Sequence, residues 1–178
     1  MDANNTFCIY LEYLSGGSVT DLYKKYGALN EITTLKYTKQ ILVGLIYLHS
    51  QGVVHGDLKG ANVLLNKDCS LIKLCDLGNA RFIDQDKSSK SINSVINGTL
   101  AWMAPELYRS HTRKKSDVWS LGCLIVEMLT GENPWGKRFD AEGTSAVMAI
   151  QKALEEGEKP ILPSNVSKEC KGFVNRCL

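Results

Sequence analysis

With 178 residues, 44% of them hydrophobic, the chain is long enough to bury one sizeable core, and a single domain is the expectation. A net charge of +2 calls for neither a nucleic-acid nor a membrane-surface partner, and the densest basic run, Arg109 to Lys115, reads as a solvated face. The six cysteines form no C-x-x-C pair and suit a reducing compartment. The longest apolar run, Val118 to Leu129, is too short to span a bilayer, so the expected protein is soluble and cytoplasmic.

Along the chain, the aromatic, β-rich stretch Phe7 to Tyr13 predicts a strand. Ser15-Gly16-Gly17-Ser18 ends it and starts a short helix through Tyr26, with Ser18 as N-cap. A long helix is expected from Glu31 to Ser50, because Ile32, Leu35, Ile41, Leu42, Leu45, Ile46 and Leu48 fall near helical spacing, Asn30 can cap it and Gly52 lies just past its end. Val63-Leu65 and Leu71-Leu74, joined by Asn66-Lys67-Asp68, read as a hairpin. Arg81 to Gly98 is polar and aperiodic, as a long mobile loop would be. Ser116 to Thr130, apolar nearly all round, predicts a central buried helix, with Cys123 as a core thiol. Thr144 to Glu156 is amphipathic, and a last helix begins near Ser167. The predicted fold class is mainly α with a small β-hairpin.

The chemistry is concentrated in His55-Gly56-Asp57-Leu58-Lys59-Gly60-Ala61-Asn62 and in Asp76-Leu77-Gly78. Asp57 and Asn62 lie five apart on a turn, and the hairpin can return Asp76 beside Asn62. Hard oxygen donors from Asn62 and Asp76 suit Mg²⁺, which keeps phosphates as part of its shell. Asp57, left off the metal, can accept the proton of an incoming hydroxyl, and Lys59 can neutralise charge on a moving phosphoryl group. One Asp or Asn alone would be better read as a turn or cap residue.

Taken together these motifs resemble the protein kinases. His55-x-Asp57-x-x-x-x-Asn62 is similar to the catalytic loop, Asp76-Leu77-Gly78 to the metal-binding triplet and Ala104-Pro105-Glu106 to the end of the activation segment, in the right order and at the right separations. The resemblance covers nearly all 178 residues. It implies a hinge at Leu11-Glu12-Tyr13-Leu14, with Leu11 as gatekeeper and adenine held near Glu12 and Leu14. It further implies a ribose contact at Ser18, Leu64 under the adenine ring, Asp117 bracing the catalytic-loop backbone, and an ion pair between Glu106 and Arg176. ATP and Mg²⁺ are the implied cofactors. Lys59 and Gly98-Thr99 resemble the serine/threonine class. Gly16-Gly17-Ser18, Lys59-Gly60-Ala61-Asn62 and Trp102-Met103 look most like the MAP kinase kinase kinase group, which implies a MAP kinase kinase as protein substrate and places no nucleic acid or membrane among the partners.

The chain also departs from the family. Gly56 stands where most kinases carry an Arg that pairs with an activation-loop phosphate, so phosphorylation at Ser88, Ser89, Ser91, Ser94 or Thr99 is not expected to be the main switch, and Thr99 is expected to be structural. Leu77 replaces the usual Phe of the metal triplet and can fill the same packing position. No G-x-G-x-x-G loop and no strand Lys with a helical Glu precede the hinge. The expectation is therefore a partial kinase domain over residues 1–178, a large lobe with the small lobe missing. Gly131 to Arg138 mimics a phosphate-binding loop, but it follows a helix and ends in Arg. The alternative to an enzyme is a catalytically inactive kinase-like fragment acting as a binding or regulatory module.

Overall fold

The helices form where local capping and apolar spacing coincide. A computed structural model describes residues 8–83, 100–109, 114–136 and 144–178. Its helices are α1 (Val19–Tyr26), α2 (Glu31–Ser50), α3 (Lys114–Thr130), α4 (Thr144–Glu155) and α5 (Lys168–Cys177); its strands are β1 (Val53–Val54), β2 (Val63–Leu65), β3 (Ile72–Leu74) and β4 (Arg81–Phe82). Ser18 closes a reciprocal capping box with Asp21: its Oγ accepts from the Asp21 amide while the Asp21 carboxylate accepts from the Ser18 amide. Asn30 Oδ1 accepts from the Thr33 amide at 2.8 Å to start α2. Ser167 caps α5 and also donates its amide and hydroxyl to Glu31, so the first turns of α2 and α5 are tied together. Each such cap is worth about 1 kcal/mol.

Packing then orders the helices around α3. Leu121, Cys123, Leu124 and Met128 of that helix are fully buried. One side of α3 packs with Val19 and Tyr23 of α1, Ile41 and Leu45 of α2, the hairpin residues Val63, Leu65 and Ile72, and Val174 of α5. The other side meets Ala101, Ala104, Trp135, Ile150 and Ala153. A helix buried on all sides has no polar face to give, which is why its sequence lacks amphipathic contrast.

The predicted hairpin is present, with Val63 opposite Leu74, Leu64 opposite Lys73 and Leu65 opposite Ile72. A second antiparallel pair, Val53 opposite Phe82 and Val54 opposite Arg81, was not expected from the sequence, because two residues are too few to show a period. The strand expected over Phe7–Tyr13 is not observed among the described residues 8–13. Ile9, Tyr10, Leu11 and Tyr13 are exposed there, and β-propensity without a partner strand or a covering layer does not hold an extended segment in a ladder. Most of the expected loop, with Ser88, Ser89, Ser91, Ser94 and Thr99, lies outside the described residues. Gly131 serves as the end of α3, its amide donating to the Glu127 carbonyl at 2.8 Å, rather than as the start of a phosphate cradle. Among the described residues no helix is long and apolar enough to cross a membrane.

Because α3 supports both halves of the core, truncating Leu124 to Ala should lower unfolding free energy by about 2–5 kcal/mol. Urea titration should show this as a lower midpoint at unchanged slope.

Candidate active site

The loop from His55 to Asn62 is anchored first by a carboxylate from another element. Asp117, in the first turn of α3 and 0% exposed, accepts the His55 amide on Oδ2 and the Gly56 amide on Oδ1, each at 2.9 Å. The same Oδ2 lies 2.7 Å from His49 Nε2 on α2. Two consecutive backbone amides can converge on one carboxylate only if the chain turns sharply, and Gly56 supplies the turn with φ of +74°. The His55 ring adds a second tie, its Nε2 lying 3.1 Å from the Cys75 carbonyl beside the metal triplet.

On this frame Asp57 is held by three nitrogen donors. Its Oδ2 receives Lys59 Nζ at 3.0 Å, Asn62 Nδ2 at 3.1 Å and Asn79 Nδ2 at 3.4 Å. Asn62 Nδ2 also donates to the Asp57 carbonyl at 2.8 Å, which leaves its amide oxygen for another partner. Asp57 Oδ1 is buried and has no hydrogen-bond partner among the described residues. Such an atom costs about 1–3 kcal/mol unless something else fills it. The hairpin ladder runs one step past β2, the Cys75 amide donating to the Asn62 carbonyl at 3.0 Å. That bond brings Asp76 next to Asn62 in the backbone, as the spacing implied. Asp76 itself is exposed and sits at φ of +60°, its Oδ1 accepting from the Gly78 amide at 3.2 Å.

The other expected site residues fall along the hairpin. Ser18 bridges Leu64, and the Gly17 carbonyl accepts the Leu65 amide at 2.8 Å. The Ser18 hydroxyl is engaged with Asp21 in the capping box. Glu12 reaches Lys73 of β3 in an exposed ion pair, a type that contributes little to stability. Leu14 is half-buried and Leu11 is exposed. The expected ion pair of Glu106 with Arg176 is not found among the described residues. Glu106 Oε1 instead accepts from Ser116 Oγ at 2.9 Å, and Arg176 is exposed. Two positions beyond the buried Val174, helical geometry turns Arg176 away from the core.

The donors available for a divalent cation are the Asn62 amide oxygen and the Asp76 carboxylate. No cluster of three or more His, Cys, Asp or Glu exists among the described residues. Two hard oxygen donors fit Mg²⁺, which takes few protein ligands and completes its shell with phosphate and water.

The sequence profile of the protein kinase domain matches residues 1–178. The chain belongs to the protein kinase family. It is 42% identical to human mitogen-activated protein kinase kinase kinase 3 over 175 residues, which is 98% of this chain and 27% of that protein. It is 41% identical over 175 residues to cell division control protein 7 of Schizosaccharomyces pombe, covering 98% of this chain and 15% of the relative. It is 37% identical over 176 residues to mitogen-activated protein kinase kinase kinase 18 of Arabidopsis thaliana, covering 97% and 49%. The chain thus spans less than half the length of each of these relatives.

Sequence reasoning missed one residue of this kinase site. Glu127, on α3 and 1% exposed, accepts four hydrogen bonds. Thr20 Oγ1 and Tyr23 OH donate to Oε1 at 3.1 and 3.0 Å; the Gly60 amide and Trp102 Nε1 donate to Oε2 at 3.1 and 2.7 Å. A Glu inside an otherwise apolar helix was the available signal, yet in sequence it reads only as an interruption. Burial pushes its pKa above 4.5, and burial together with the Glu127 charge raises Tyr23 to about 12.

Two outcomes follow from these two carboxylates. Asp117→Ala leaves two loop amides and His49 without their acceptor and should cost about 3 kcal/mol or more, at about 1–3 kcal/mol per orphaned group; the Gly56 amide should lose hydrogen-exchange protection. For Glu127, the folded state holds its proton to higher pH than the unfolded state. Its stability contribution is therefore complete below about pH 4.5 and is lost as pH rises through the folded pKa. In paired urea titrations, the stability of Glu127→Gln relative to wild type should grow with pH across that window.

Proposed function

We propose that this chain carries the acceptor and metal-binding part of a serine/threonine protein kinase that transfers the γ-phosphoryl group of ATP to a protein hydroxyl. The observation that carries this reading is the asymmetry of Asp57: one oxygen saturated by Lys59, Asn62 and Asn79, the other buried and unpartnered. A carboxylate fixed in this way is suited to take the proton of a substrate hydroxyl at Oδ1. The hydroxyl oxygen then bonds to the γ-phosphorus while the bond to the β–γ bridging oxygen breaks, and ADP leaves with that electron pair. Lys59, whose Nζ lies 3.0 Å from Asp57 Oδ2, would offset charge on the phosphoryl group. Asn62 and Asp76 would hold Mg²⁺, which when bound neutralises phosphate charge. Glu12 and Leu14 would line the adenine site with Leu64 beneath the ring, and Ser18, bridged to Leu64, would stand at its ribose side.

The MAP kinase kinase kinases among the relatives support a place in a MAP kinase cascade, with a MAP kinase kinase as the protein substrate in the cytoplasm. The lack of a glycine-rich phosphate loop in the sequence and the exposed Ile9, Leu11, Val43 and Tyr47 support an incomplete catalytic domain, a large lobe whose nucleotide-covering partner is not in these residues. Gly56 offers no side chain to an activation-loop phosphate, which supports control of this kinase by means other than that contact.

In the full-length protein, Asp57→Ala should lower turnover on a MAP kinase kinase about 10²- to 10⁴-fold while MgATP affinity changes little. Residues 1–178 alone should bind ATP weakly. Undiminished phosphorylation by the Asp57→Ala protein would overturn the role given to Asp57, and no phosphorylation by the wild-type full-length protein would favour instead a kinase-like binding module.

A further inference from the structure

Glu127 divides its four donors by chemistry as well as by position. Both donors on Oε1, from Thr20 and Tyr23, are hydroxyls, which can accept as readily as they donate. Both donors on Oε2, the Gly60 amide and the Trp102 indole, are fixed N–H groups that can only donate. The Gly60 amide lies one residue past Lys59, whose ammonium meets Asp57 Oδ2. Trp102 lies two residues before Ala104-Pro105-Glu106. The approach is close: a Cβ on Gly60 would stand 2.5 Å from Glu127 Oε1 and 2.7 Å from Thr20 Oγ1. Gly60 and Trp102 thus meet at one buried oxygen, and that oxygen is rooted in α3, the helix that also carries Asp117.

We propose that Glu127 is a positioning residue that, through Oε2, holds the Lys59-Gly60 end of the catalytic loop in register with the Trp102 turn. The kinetic part of this inference rests on the kinase reading above; the spectroscopic part does not. What the site needs is an acceptor oxygen facing two fixed N–H groups. A negative charge is not needed, because an amide nitrogen facing Thr20 and Tyr23 can donate to their hydroxyl oxygens. Glu127→Gln therefore keeps every contact if its oxygen takes the place of Oε2. Glu127→Met keeps the approximate volume and removes the acceptor.

The test uses the full-length protein labelled with ¹⁵N-tryptophan, the Trp102 indole being assigned with Trp102→Phe. In wild type the Trp102 indole proton should resonate downfield of those of Trp119 and Trp135. It should stay downfield in Glu127→Gln and move upfield in Glu127→Met. Per folded molecule, kcat should fall about 10- to 100-fold in Glu127→Met, the range expected when a catalytic loop shifts by about an ångström. The KM for ATP should stay within about twofold, since none of the adenine-side residues touches Glu127, and Glu127→Gln should restore kcat to near wild type. A purely structural role would lower the folded fraction and leave kcat per folded molecule unchanged, which would overturn the proposal. Equal losses in Glu127→Gln and Glu127→Met would overturn it as well, since charge would then be the requirement. If Glu127→Met yields no folded protein, Trp102→Phe decides: a reduced kcat supports the clamp, and an unchanged kcat overturns it. An inactive wild type with the predicted indole shifts would count against the kinase reading while leaving the clamp standing.

Discussion

The Asp117 carboxylate is the constraint on which the site depends. The loop that presents Asp57, Lys59 and Asn62 sends one large apolar side chain, Leu58, into the core, and its first turn is fixed by polar ties. Asp117 supplies the hold by taking the amides of His55 and Gly56 together and meeting His49 on α2. It acts from the first turn of a helix buried in the core, so the loop takes its position from the central helix of the fold. Gly56 has a definite place in this arrangement, since its positive φ lets both amides face one acceptor. Its departure from the Arg of most kinases removes a phosphate partner without removing the turn.

Two further carboxylates divide the remaining work. Glu127 spends all four of its hydrogen bonds on internal partners from α1, the catalytic loop and the Trp102 turn. Asp57 spends one oxygen on internal partners and keeps the other bare. Buried polar groups are ordinarily paired; among the described residues Asp57 Oδ1 shares the lack of a partner with Thr34 Oγ1, Thr38 Oγ1 and Trp119 Nε1, and of these four atoms it is the one carboxylate oxygen. Anchoring and the open acceptor position thereby fall on different atoms: α3 holds the loop, and the loop holds Asp57 Oδ2 while Oδ1 has no partner among the described residues.

Much of this was legible in the sequence where the physics is local. Ser18, Asn30 and Ser167 marked helix starts because a cap acts on amides two or three residues away. The apolar spacing of α2 and the all-round apolarity of α3 report one helix's surroundings directly. The pattern from His55 through Asn62 to Asp76 could be read because a short turn and a tight hairpin translate sequence spacing into spatial proximity. Non-local partners were harder. Glu127 gathers donors from positions 20, 23, 60 and 102, and no spacing rule connects them. The β1–β4 pair joins two-residue segments separated by the whole hairpin. The stretch before Leu14 has strand composition but no partner among the described residues, and composition reports the preference of a segment rather than the neighbour that would satisfy it. Glu106 was paired with Arg176 by resemblance, whereas α5 turns that side chain to solvent.

The role proposed for Asp57 Oδ1 is to receive the substrate proton. It is tested most directly by a crystal structure of the full-length protein with a non-hydrolysable ATP analogue, Mg²⁺ and a hydroxyl-bearing substrate peptide. The peptide hydroxyl oxygen should lie within about 2.6–3.2 Å of Asp57 Oδ1, with Lys59, Asn62 and Asn79 still on Oδ2. A hydroxyl bonded to any other group, with Asp57 Oδ1 filled by a protein donor, would contradict it.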